Sequence, residues 1–128
     1  MKKTIIATDT APRAIGAYSQ AVAVETDKLL FISGQLGMDP RTMELVPGDA
    51  AAEAKQALKN LGAILEAAGG DFNSIVKATI FLADIKDFVA VNEAYAACFS
   101  ADFPARAAFA VGALPKGARV EIEAIAVL

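Results

Sequence analysis

The sequence predicts an α+β domain. A mixed six-stranded sheet carries two helices on one face, in the order β-β-β-α-β-α-β-β. Three observations carry this reading. Strand-like patterns crowd the first part of the chain, before any helical period appears. Only two segments, one following Asp49 and one following Asp84, repeat apolar residues at helical spacing. The segments after each helix are apolar runs bounded by turn residues. Runs of strands with only two helices argue for α+β rather than a regular βαβ alternation. The 128 residues fit one compact domain, residues 1–128.

Taken in order, Thr4–Ala7 reads as a short first strand. Asp9 to Tyr18 is irregular because of Pro12 and Gly16. Ser19–Glu25 alternates weakly, Thr26-Asp27 marks a turn, and Lys28–Ser33 is a compact apolar strand, so these two strands are expected to pair as a hairpin. Asp39-Pro40-Arg41-Thr42 and Pro47-Gly48 are turns. Asp49 is the expected N-cap of a helix running to about Ala68, with Ala54, Ala57, Leu58, Leu61, Ile64, Leu65 and Ala68 on one face. Gly69-Gly70 stops it. Ile75–Ala83, apolar apart from Lys77 and Thr79, fits a central strand covered on both sides. The second helix begins near Asp84–Asp87 and carries Phe88, Val91, Tyr95, Cys98 and Phe99 as its apolar stripe, with Asn92 at the edge. Phe109–Val111 and Val120–Leu128 are the last strands. In the final one Val120, Ile122, Ala124 and Ala126 share one face, and Glu121, Glu123, Ile125 and Val127 the other. That second face stays partly apolar, and a subunit partner is the simplest cover for it.

Composition narrows the function. Hydrophobic residues make up 55% of the chain and charged residues 21%. The mean hydropathy of +0.44 points to apolar surface hidden in an oligomer. The net charge is −3, and the eight Lys and four Arg are scattered, with no run longer than Lys2-Lys3. A protein that reads a phosphate backbone carries a basic stripe, so nucleic acid is an unfavoured partner. There is one cysteine and no histidine. These counts exclude an intrachain disulfide, a Cys/His zinc site, and Ser-His-Asp or Cys-His catalysis. No apolar stretch reaches the roughly 20 residues that span a bilayer. The N-terminal apolar run, Ile5-Ile6-Ala7, is too short for a signal peptide, so the cytoplasm is the expected location.

Two charged residues stand in apolar company. Arg106 follows Phe103-Pro104-Ala105 and precedes Ala107, Ala108 and Phe109. Its planar fork suits a carboxylate, bidentately. An ion pair with Asp102 or another acid remains an open reading. Glu121 lies between Val120 and Ile122 and could orient or deprotonate a water. The competing reading is a solvated ladder of Arg119, Glu121 and Glu123. Tyr18 places a phenol just before a strand, and Ser33-Gly34 places a hydroxyl and an open backbone where a strand ends. Either is also an ordinary turn. Cys98 reads as core.

These residues together resemble the reactive-intermediate deaminase family (Rid, YjgF-type), and within it the RidA branch. The ordered set is Gly16-Ala17-Tyr18-Ser19-Gln20, Phe31-Ile32-Ser33-Gly34-Gln35, Val91-Asn92-Glu93-Ala94-Tyr95, Pro104-Ala105-Arg106 and Val120-Glu121-Ile122. It spans nearly the whole chain. The resemblance implies a chorismate-mutase-like fold and a homotrimer with sites between subunits. It implies hydrolysis of enamines and imines such as 2-aminoacrylate and 2-iminobutyrate, released by pyridoxal-phosphate enzymes, to 2-keto acids and ammonia. No cofactor or metal is implied. Carried over, Arg106 would clamp the substrate carboxylate and Glu121 would position or activate water. Tyr18 would hold the substrate, Ser33 and Gly34 would line the pocket, and Asn92 would sit at its rim. Ala17 stands where the family often has Pro, and Ala108 where it often has Cys or Thr. The segment between the second helix and Phe103 is also shorter than usual. The departure at Ala108 implies a wider, more apolar pocket and an altered substrate preference. Three alternatives stay open: a non-catalytic module binding small carboxylates or regulating a partner, a ribonuclease-like activity, and a deaminase for one catabolic enamine.

Overall fold

The computed structural model describes residues 2–128. Strands β1 (Lys2–Ile6) and β2 (Ala21–Glu25) pair antiparallel. β3 (Leu29–Leu36) follows, and two short strands, β4 (Met38–Asp39) and β5 (Glu44–Leu45), flank the Pro40–Met43 turn. Helix α1 covers Ala50–Ala67. β6 (Ile75–Leu82), α2 (Phe88–Ala96), β7 (Ala105–Ala110) and β8 (Val120–Val127) complete the chain.

The sheet differs from the predicted six-stranded one. Its four strands run β3-β8-β6-β7, while β1-β2 and β4-β5 form separate two-stranded ribbons. The predicted pairing of β2 with β3 is absent as well. β3 pairs with β8 instead, and the Thr26 hydroxyl secures this by donating to Leu128 O at 2.9 Å. The reason is burial. Ile32 is buried beside Ala124 of β8, whereas β2 buries no residue fully. β7 also starts earlier than predicted, so Arg106 lies within a strand, opposite Ala78 of the parallel strand β6.

Both helices lie where their spacing puts them. The Asp49 carboxylate accepts from Ala52 N at 3.0 Å and caps α1, a contribution of about 1 kcal/mol. Gly69 follows the helix at φ +88°, where a side chain would be strained. Ala54, Ala57, Leu58, Leu61 and Leu65 are buried against Ile80, Ile122 and Ala124 of the sheet. Each large aliphatic side chain so buried contributes about 1.5–3 kcal/mol. The second helix starts as a 3-10 turn over Ile85–Asp87, and its α-helical part ends at Ala96.

Only one face of the sheet is covered. On β6, Ala78, Ile80 and Leu82 are buried under the helices, while Val76, Thr79 and Phe81 on the other face remain partly open. The expectation of a strand covered on both sides therefore does not hold within one chain. On β8 the predicted alternation is present: Val120, Ile122, Ala124 and Ala126 are buried. Val127 departs from it, being buried despite its place on the other face. Phe31 is 71% exposed on the open face, and Leu29 and Phe109 are exposed too.

One buried charge was not foreseen. Glu53, in the first turn of α1, is 1% exposed. Its carboxylate accepts from Arg119 N at 2.9 Å and from Arg119 Nη1 at 2.7 Å. Arg119 also donates to Gly48 O. This clasp ties the start of α1 to the residue before β8. Glu53→Ala leaves the Arg119 backbone N–H and guanidinium without their acceptor, but the guanidinium is half exposed and can turn to water, so urea unfolding should show a loss of about 1–3 kcal/mol. A loss under about 1 kcal/mol would mean the pair is no better than a surface bridge.

Candidate active site

Arg106 is half-buried and reaches toward α2. Its Nη1 donates to Asn92 Oδ1 at 2.5 Å. Three rings surround its Cζ: Tyr95 at 5.1 Å to the ring centroid, and Tyr18 and Phe88 each at 5.7 Å. No carboxylate pairs with it among the described residues. The reading of an ion pair with Asp102 is thereby set aside. Burial lowers its pKa from the ordinary guanidinium value, and Tyr95 and Tyr18 pull it back up. An arginine starts so high that it remains cationic at neutral pH. The result is a desolvated cation with most of its five N–H donors unclaimed inside the chain.

The elements that hold this arrangement are local. Ser19 N donates to Pro104 O at 3.0 Å, and the Ser19 hydroxyl donates to Phe103 O. A bridge between Ser19 and Ala105 extends the edge of β7. The neighbouring Tyr18 is thus set against Arg106, and its hydroxyl accepts from Ile15 N at 3.4 Å. The Gln20 side chain bonds to Thr8 N, Thr8 O and Pro12 O, closing the loop before β2. A pocket of about 350 Å³ lies between that loop and the end of β1; Tyr18 lines it, Arg106 does not. Ala108 shares the face of Arg106, opposite Ile80, and adds a methyl group there.

Glu121 sits elsewhere. It lies on β8 opposite Phe81 and Leu36, on the open face. It neither pairs with Arg119, which Glu53 takes, nor forms the alternative surface ladder. β3 carries one extra residue between Ile32 and Gln35 relative to Ala124 and Ile122, a bulge at Ser33-Gly34 that lets Glu121 fold over the backbone. A Cβ on Gly34 would lie 2.1 Å from Glu121 Oε2 and 2.7 Å from Cδ. Only glycine leaves the carboxylate there. Ser33 is exposed beside it. Gly34→Ala should therefore shift Glu121 while keeping the fold; misplacement by about 1 Å costs on the order of 100-fold in rate. Keto-acid release by this variant, with circular dichroism as the folding control, checks the point; wild-type turnover would remove the Gly34 contact from the argument.

The predicted residues thus fall into two groups. Arg106, Asn92, Tyr18 and Ala108 cluster under the helices at the β7 edge. Glu121, Ser33 and Gly34 cluster on the open face. Arg106 aligns through Ala78 with Ala124, so Glu121 is two strands and three residues away as well as on the opposite face. That is on the order of 14 Å of backbone separation. Phe88 and Tyr95 were read only as core. The signal was available: Phe88, Asn92 and Tyr95 follow each other at i, i+4 and i+7, and Asn92 is a polar residue within an apolar stripe.

Comparison with known proteins finds relatives over nearly the whole chain. A family model described as Endoribonuclease L-PSP matches residues 8–128. The rat protein named 2-iminobutanoate/2-iminopropanoate deaminase is 62% identical over 125 residues, 98% of this chain and 90% of its own length. The crystal structure of RidA from the Antarctic bacterium Psychrobacter sp. PAMC 21119 is 51% identical with a TM-score of 0.75, covering 98% of this chain and 99% of its own. The structure of E. coli TdcF with bound serine is 41% identical, also with a TM-score of 0.75, and covers 98% of both chains.

Proposed function

The chain belongs to the endoribonuclease L-PSP family, the Rid or YjgF-type group, and from that premise we propose that it is a deaminase for reactive imines and enamines. The substrates are 2-iminobutanoate and 2-iminopropanoate, the latter formed from 2-aminoacrylate. The products are the 2-keto acids and ammonia. One observation carries the reading: Arg106 is a half-buried cation in a neutral aromatic cage, with one internal acceptor and no internal anion among the described residues. A ligand carboxylate supplies that anion. Such a pair is stronger in a desolvated setting than in water.

The chemistry needs little else. Water adds to the imine carbon, and the resulting carbinolamine expels ammonia to leave a ketone. No electrons enter or leave, so no redox cofactor is called for. Glu121 takes the proton of the attacking water and returns it to the departing nitrogen. Tyr18 and Asn92 fix the guanidinium that orients the substrate. Ala108 leaves apolar room for the side chain. The two residue groups lie on opposite faces of one sheet, and this supports a site completed by a second copy, with Glu121, Ser33 and Gly34 brought to Arg106 across a subunit boundary. A homotrimer closes such a contact, and the exposed Phe31, Leu29 and Phe109 are the apolar surface it would cover. No helix among the described residues is long and apolar enough to cross a membrane; the cytoplasm, where pyridoxal-phosphate dehydratases release such imines, is the proposed setting. The ribonuclease reading draws less support from a net charge of −3 with no basic stripe.

The experiment generates 2-aminoacrylate and 2-iminobutanoate in situ with a dehydratase and traps what remains with semicarbazide. The protein should shorten the lifetime of both and speed keto-acid release. A second reading is favoured by the serine bound to TdcF: a module that binds small carboxylates without turning them over. Unchanged imine lifetimes together with 2-oxobutanoate binding would select it.

A further inference from the structure

Helix α2 turns one stripe toward Arg106. Phe88, Asn92 and Tyr95 lie on successive turns, and all three meet the guanidinium. Their shares differ. Asn92 offers a single acceptor. Phe88 is only partly buried. Tyr95 is 1% exposed and presents its ring at the shortest of the three cation–ring distances, 5.1 Å. Behind it, Phe99 packs at 4.9 Å, and Phe99 in turn meets Phe72 and Phe103, each at 5.9 Å. The guanidinium therefore rests on an aromatic stack rooted in the core.

The Tyr95 hydroxyl is buried without a hydrogen-bond partner among the described residues. Burial pushes its pKa up, so it stays neutral. What reaches the cation is the ring. An acidic residue in that place would neutralise Arg106 internally and take the fork that a ligand needs. A ring face attracts the cation and leaves its N–H donors free.

We propose that Tyr95 is a positioning residue, the closed-side support that holds Arg106 in a carboxylate-binding pose without consuming its donors. The inference rests on the reading that Arg106 binds the substrate carboxylate. It assigns to Tyr95 a part of substrate affinity, exerted through Arg106 and not by contact with the substrate.

The test compares Tyr95→Leu, Tyr95→Phe, Phe99→Leu and Arg106→Ala. Binding of 2-oxobutanoate is measured by titration calorimetry, and KM and kcat on 2-iminobutanoate are measured separately. Tyr95→Leu is expected to weaken binding about tenfold and raise KM to match, with kcat little changed. Tyr95→Phe, which keeps the ring, restores affinity. Phe99→Leu removes the next ring of the stack and matches the loss of core packing, yet keeps affinity within about twofold. Equal affinities for Tyr95→Leu and Phe99→Leu would overturn the proposal, as would a Tyr95→Phe variant as weak as Tyr95→Leu. Arg106→Ala separates the two failures. Weak binding there with normal binding in Tyr95→Leu sinks the inference alone; normal binding in both sinks the carboxylate reading with it. If Tyr95→Leu does not fold, Tyr95→Met, nearer in volume, takes its place.

Discussion

Arg106→Ala is expected to lower kcat/KM on 2-iminobutanoate by about 100- to 1,000-fold, the size of effect seen when one well-placed donor to a developing or fixed anion is lost from a desolvated site. The variant should fold, since Arg106 carries one side-chain hydrogen bond among the described residues and its rings can close on a methyl group. Arg106→Lys is the sharper arm. Lysine restores the charge but not the planar fork, and its compact ammonium cannot bond Asn92 and both carboxylate oxygens at once. We expect it to recover less than about a tenth of the lost activity. Keto-acid release at limiting substrate, with 2-oxobutanoate binding alongside, measures both. A fully active Arg106→Lys would show that the cage supplies a bare positive field and that bidentate geometry has no part.

The second large effect comes from mixing. Under the proposed mechanism, Glu121→Ala alone should be as inactive as Arg106→Ala, because the attacking water would lose its base. If the site is built from two chains, the defects lie on different halves. Co-refolding the two variants in equal amounts creates mixed assemblies, and about a quarter of all sites in the pool combine an intact Arg106 half with an intact Glu121 half. Activity should then return to about a quarter of wild type. Mixing without subunit exchange should recover nothing. Mixed oligomers seen by native mass spectrometry but with no activity would mean that each chain completes its own site, which the present separation of Arg106 and Glu121 on opposite sheet faces does not allow without rearrangement.

Much of this was legible in the chain. Asp49 before an alanine-rich run is a local cap, and it sits where its carboxylate bonds Ala52 N. The apolar stripe of α1 and the alternation of β8 are periodic patterns, and the core confirms most of what they predict. Arg106 and Glu121 could be singled out because each is charged where its neighbours are apolar, whereas Tyr18, Ser33, Gly34 and Asn92 joined them through the family resemblance. Tyr95 is harder: its spacing from Phe88 and Asn92 puts it on their stripe, but a tyrosine in an apolar stripe looks the same whether it faces core or cation. Glu53 was missed for a related reason. An acid in the first turn of a helix is common and usually solvated, and its burial depends on Arg119, 66 residues away.

The helices, most of the strands, and Arg106 and Glu121 as charges in apolar company can be read along the chain, because caps, periods and charges are set by sequence neighbours. Tertiary structure alone decided that β3 pairs with β8 and not β2, that Arg106 stands within a strand, and that Arg106 and Glu121 point to opposite faces. Those facts follow from which strands bury surface together and in what register. A shift of one residue in register reverses every side chain; the alternation of β8 gives Glu121 its face, but no local pattern around Arg106 gives its own.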